Sequence, residues 1–186
     1  MISKWHQLPN TLTILRILLA IPFVIYMAEQ AYGVALALLF VAGFTDSLDG
    51  LLARRFGWRS QFGSIADPVA DKVLMVTAYV TLGYWGHLPA WLVAVVVLRD
   101  VLIFAGAIVY WFTVGRYEGK PTLISKACTF VAVALGLFTI ANLVWPVFPQ
   151  WMMQAIIWSL VSLCVISLLQ YIALGFAGYR KKNASD

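Results

Sequence analysis

Charge is what this chain has least of. Only 11% of its 186 residues are charged, against 62% hydrophobic, whereas an ordinary soluble domain carries about 25% charged residues. That imbalance excludes a water-soluble globule. Cysteine is scarce too: Cys128 and Cys164 stand in apolar stretches with no C-x-x-C pair and no Cys/His spacing, so neither a zinc site nor a disulfide scaffold is indicated. Both are expected to be small buried hydrophobes. No internal repeat and no low-complexity tract is present. The first ten residues, with Lys4, His6, Gln7 and Pro9, resemble neither a cleavable signal nor an Arg-rich transit sequence, so the first hydrophobic segment is expected to remain in the mature protein. A formal charge of +5 is spread over the flanks of apolar segments. It forms no basic face for nucleic acid, which leaves anionic lipid headgroups as the expected partners.

What the chain does have is a series of apolar runs, each near the ~20 residues that cross a bilayer core. They cover 11–28, 32–54, 63–84, 89–113, 123–145 and 151–177, separated by short turn signals. The expected fold class is therefore all-α, an integral membrane bundle of six transmembrane helices, with 1–186 forming a single membrane domain. Lys4, then Arg54, Arg55 and Arg59, then Arg116 and Lys120, then Arg180, Lys181 and Lys182 fall on alternate connections. The other three connections carry no Lys or Arg. Both termini are then expected to be cytoplasmic, as an even number of spans also requires. Trp5, Trp85, Trp91, Trp145 and Trp151 lie near helix ends, where amphipathic rings settle at the headgroup level.

Four of the eight acidic residues, Asp46, Asp49, Asp67 and Asp71, crowd into one short stretch. Asp46 and Asp49 are i,i+3 near the end of the second helix. Asp67 and Asp71 are i,i+4 near the start of the third, so each pair shares a helix face. Carboxylates converging at one membrane depth repel each other and lose hydration unless cations neutralise them. With no His or Cys nearby, an all-oxygen set favours hard ions, Mg²⁺ or Mn²⁺, and a pair of such ions suits displacement at phosphorus. Structural ion pairs with Arg54, Arg55 and Lys72 are the plainer alternative. Gly43, Gly50, Ala53, Gly63, Ala66 and Ala70 interleave with the carboxylates, as close helix packing or close approach of a ligand to the backbone requires.

The run D46-S-L-D49-G50-L-L-A53-R54, then eight residues, then G63-S-I-A-D67-P-V-A-D71 resembles the signature of the CDP-alcohol phosphatidyltransferases. The resemblance extends over six membrane helices and so over nearly the whole chain. It implies that Asp46, Asp49, Asp67 and Asp71 bind two metal ions and that Asp71 is also the base that deprotonates the acceptor hydroxyl. It implies further that Asp46, Asp49, Gly50, Ala53, Arg54 and Gly63 meet the CDP group of a CDP-diacylglycerol donor. A homodimer is implied as well. The expected location is a bacterial inner membrane, with the active site near the cytoplasmic face.

Several other charges fall inside apolar runs: Arg16, Lys72, Arg99, Asp100 and Lys126. Each is costly in lipid. Arg16, Arg99 and Lys126 are candidates for a phosphate of the acceptor or the lipid, although Arg99 beside Asp100 equally reads as an internal ion pair. L98-R99-D100-V101-L102-I103 and K120-P121-T122-L123-I124-S125-K126 look more like the cardiolipin synthases of this family than its phosphatidylglycerophosphate synthases. The latter carry an R-E pair with a further Arg in the fourth helix and a G-K-x-K-T motif opening the fifth. The two missing basic groups fit the phosphodiester acceptor phosphatidylglycerol, with glycerol 3-phosphate as runner-up. A small transporter or channel is the reading from a different class, disfavoured by acidic residues gathered at one membrane face without an inverted repeat.

Overall fold

Among the described residues of a computed structural model there are six helices: α1 (Leu8–Ala28), α2 (Tyr32–Phe56), α3 (Gly63–Tyr84), α4 (Ala90–Thr113), α5 (Leu123–Val144) and α6 (Gln150–Asn183). Backbone is described at 8–56, 63–115 and 122–183, and side chains at 18–43, 45, 72–115 and 122–180. Among the described residues α4, α5 and the stretch Gln150–Arg180 of α6 are long and apolar enough to cross a membrane. In α1, α2 and α3 the shorter segments Leu18–Ala28, Tyr32–Gly43 and Lys72–Tyr84 are apolar. With family membership, established below, this makes the chain a membrane-embedded multi-pass protein.

Local chemistry sets the helix ends. At the end of α1, Ala31 N–H donates to Tyr26 O and Gln30 N–H to Met27 O, with Gln30 at φ 57°. Paired bonds of this kind around a left-handed residue close a helix. The same pair recurs after α3, where His87 N–H reaches Leu82 O and Gly86 N–H reaches Gly83 O, with Gly86 at φ 73°. Glycine holds that conformation without steric cost. Pro89, extended at φ −60° and ψ 131°, stands just before α4 instead of inside it. Thr122 caps α5, its hydroxyl oxygen accepting from Ser125 N–H at 3.2 Å. The largest departure from expectation is α6, which continues six residues past Ala177 to Asn183. Arg180, Lys181 and Lys182 are good helix formers, and a helix is not obliged to stop where its apolar face does.

The helices group into two compact units. In the first, α1 packs against both α2 and α3, and Ala20, Ala42 and Leu74, one from each, form a buried cluster flanked by Leu19 and Leu39. Phe23, Met27, Tyr79 and Leu82 are fully buried there. The part of α5 from Gly136 belongs to this unit; a Cβ at Gly136 would stand 3.9 Å from the Tyr79 ring.

In the second unit α4 packs along α6. Three contacts hold one register: Trp91 with Trp158 (ring centroids 5.8 Å apart), Arg99 with Ser167, and Tyr110 against Gly178. Residue numbers rise together along that series, so the two helices run parallel. The first half of α5 completes this unit, and Cys128 on α5 and Cys164 on α6 are both buried as reduced thiols with their Sγ atoms 3.4 Å apart. Both cysteines are thus the small buried side chains expected. Trp85, Trp91, Trp145 and Trp151 are exposed at helix ends, which fits anchors at the bilayer surface; Trp5 lies outside the described residues.

Candidate active site

Helical backbone carries all four aspartates of the signature. Asp46 and Asp49 fall in the last three turns of α2, and Asp67 and Asp71 in the first three of α3. Their side chains lie outside the described residues, as do those of Gly50, Ala53, Arg54 and Gly63. Register alone is informative. Asp46 follows buried Ala42 by four residues and Asp71 precedes buried Leu74 by three, and in an α-helix those offsets return to the same face. The carboxylate positions therefore continue, toward the α2–α3 connection, the two faces that α2 and α3 turn to the common cluster with α1.

Thr45, next to Asp46, turns its hydroxyl back to its own helix, donating to Val41 O at 2.8 Å and to Ala42 O at 3.0 Å. An all-carboxylate set with no softer donor fits a hard divalent ion. Ala42 and Leu74 are buried one helical turn from the positions of Asp46 and Asp71, and an apolar neighbour of that kind would strengthen the attraction of a carboxylate for a cation.

The three cationic candidates have different surroundings. Arg16 has its backbone in α1 and its side chain outside the described residues. Lys126 is exposed in the first turns of α5. Arg99 is only 6% exposed and sits in a network of its own: Nη1 bonds Asp100 Oδ1 at 2.7 Å, while Nη2 donates to Ser125 Oγ at 2.8 Å and to Ser167 Oγ at 2.6 Å. The internal ion pair is present. Only Nε of this guanidinium lacks a partner among the described residues. Ser125 and Ser167 were not singled out in the sequence. The available signal was a hydroxyl inside a long apolar helix, which in lipid calls for a partner.

A helical membrane protein with paired carboxylates on adjoining helix ends is the class that this architecture defines. Residues 6–172 match the sequence profile of the CDP-alcohol phosphatidyltransferases. The chain is 41% identical over 150 residues to a probable cardiolipin synthase (CMP-forming) of Drosophila melanogaster, covering 70% of this chain and 46% of that one. It is 35% identical over 162 residues to the cardiolipin synthase (CMP-forming) of Homo sapiens, covering 78% and 52%. A probable phosphatidylglycerophosphate synthase of Mycobacterium tuberculosis is 35% identical over 146 residues, covering 74% and 68%. The alignments span about half the length of the two cardiolipin synthases. The chain belongs to the CDP-alcohol phosphatidyltransferase family.

Proposed function

We propose that this protein transfers a phosphatidyl group from CDP-diacylglycerol to the hydroxyl of phosphatidylglycerol, forming cardiolipin and releasing CMP. The observation that carries the reading is the placement of both halves of the signature on α2 and α3, each one turn from the buried Ala42–Ala20–Leu74 cluster. Asp46, Asp49, Asp67 and Asp71 would hold two Mg²⁺ or Mn²⁺ ions. Bound there, such ions would offset charge on the donor's phosphates. Asp71 takes the proton from the acceptor hydroxyl, and Asp46, Asp49, Gly50, Ala53, Arg54 and Gly63 orient the CDP group.

Six spans, both termini and the active site at the cytoplasmic face of a bacterial inner membrane, and a homodimeric assembly complete the proposal. The alternating basic connections support the orientation. A water-soluble CMP product leaves most directly on that side.

For the acceptor, charge decides. A phosphate monoester approaches −2 near neutral pH and the phosphodiester of phosphatidylglycerol carries −1, so the first requires more cations in a partly desolvated pocket. Most of the Arg99 guanidinium is already committed to Asp100, Ser125 and Ser167, which leaves Arg16 and Lys126 with the larger share of that task. The names of the Drosophila and human relatives point the same way. The Mycobacterium relative keeps glycerol 3-phosphate as the second reading. Purified protein given CDP-diacylglycerol with either acceptor should form cardiolipin from phosphatidylglycerol; phosphatidylglycerophosphate from glycerol 3-phosphate with no cardiolipin would replace the first reading by the second.

A further inference from the structure

Within the second unit, an open groove of about 450 Å³ lies between α4 and α6, beginning about one turn beyond the Arg99–Ser167 bond. That is the size range of a small-ligand pocket. The groove is deep because two facing positions have no side chain: a Cβ at Gly106 or at Gly175 would meet nothing within 4 Å. Its walls change character along the helix axis. The end nearer Arg99 is formed by Leu102, Ile103 and Leu168, with Tyr171 beside them. The other end brings in Tyr110, Thr113 and Tyr179, and Arg180 follows at once, exposed, with Lys181 and Lys182 next on the same helix. Because α4 and α6 run parallel, the polar ends of both helices coincide.

We propose that this groove binds an anionic phospholipid of the surrounding bilayer, with one acyl chain between α4 and α6 and the headgroup phosphate at the basic end of α6, which begins at exposed Arg180. A mostly apolar slot that runs toward a basic helix end matches the order of groups along such a lipid, acyl chain first and anionic phosphate last. Basic residues beside a membrane helix attract anionic headgroups, and guanidinium groups bond phosphate oxygens with charge assistance. A second copy of the chain would cover the apolar end but would bring two basic helix ends together in a two-fold pairing about these helices. The groove shares no residue with the carboxylate positions of α2 and α3, and its proposed occupancy does not rest on the reaction proposed above.

The test is photolabelling in nanodiscs of phosphatidylcholine doped with either phosphatidylglycerol or phosphatidylcholine carrying a diazirine in one acyl chain, with the labelled peptides located by mass spectrometry. Labelling should fall on 102–114 and 168–179 and should be several-fold stronger with the phosphatidylglycerol probe. Gly175→Leu, and independently Gly106→Leu, should reduce it about tenfold by filling the slot. Replacing Arg180, Lys181 and Lys182 together by Gln should keep the labelling but erase the preference between probes. Equal labelling by both probes in the unaltered protein would overturn the proposal whether or not the variants fold. So would labelling of these segments that a folded Gly175→Leu protein retains, or that is replaced by a cross-link to a second copy.

Discussion

Arg99 on α4 donates through Nη2 to Ser167 on α6 at 2.6 Å, deep in a largely apolar unit. Ser167 is fully buried. In lipid such a bond has no water to replace it, and it fixes the register in which α4 and α6 run side by side. Asp100 and Ser125 hold the same guanidinium from α4 and α5. A cation that would be costly alone thereby becomes the pin that joins three helices.

Removal of one partner should show this directly. Ser167→Ala leaves a buried guanidinium N–H without its acceptor, which costs about 1–3 kcal/mol. Ser125→Ala should cost less, because Ser125 is only half-buried. Thermal unfolding in detergent micelles will rank the two. An unchanged midpoint for Ser167→Ala would mean that the pin does not hold.

His87, in the connection after α3, stacks edge-on against Tyr32 with ring centroids 5.5 Å apart. Burial lowers its pKa from the ordinary 6.5. The sign then follows: the unfolded chain takes up the proton first, so the contribution of His87 is complete above about pH 6.5 and is lost as pH falls through the folded value. Stability should therefore decline on acidification below that point, and His87→Phe should remove this part of the decline. His6 is retained in that variant and serves as its internal control. Identical acid profiles for the two proteins would remove His87 from the account.

Local spacing made much of this molecule legible before its structure. Residues 63–84 form a helix with the expected bounds, and its end was readable because Gly86, which closes it, lies within two residues of the end it sets. The helical setting of the four aspartates was equally readable, since i,i+3 and i,i+4 offsets need only a helix to share a face; their side chains lie outside the described residues. The end of α6 was misplaced because the expectation followed hydropathy, which falls at Ala177, whereas backbone hydrogen bonding continues through Arg180 to Asn183. For Arg99 the sequence left two readings open. Its partners Ser125 and Ser167 are distant in sequence, and nothing local announces that α4, α5 and α6 bring them together. The groove was hidden for the same reason: Gly106 and Gly175 face each other only once the parallel register of α4 and α6 is known.

The central claim is that Asp46, Asp49, Asp67 and Asp71 form a divalent-metal centre for phosphatidyl transfer, and CMP release from CDP-diacylglycerol in detergent is its most direct measurement. Metal should be titrated back after chelation, with phosphatidylglycerol present, in the unaltered protein and in Asp46→Asn, Asp49→Asn, Asp67→Asn and Asp71→Asn. Each substitution removes a charge with little change of shape, so the account predicts unfolding midpoints near the unaltered value. It also predicts release that requires Mg²⁺ or Mn²⁺ and falls by about a hundredfold or more in each variant, with Asp71→Asn the most impaired and not restored by added metal. Chelator-resistant release, or near-normal turnover in any two of the four variants, would contradict it.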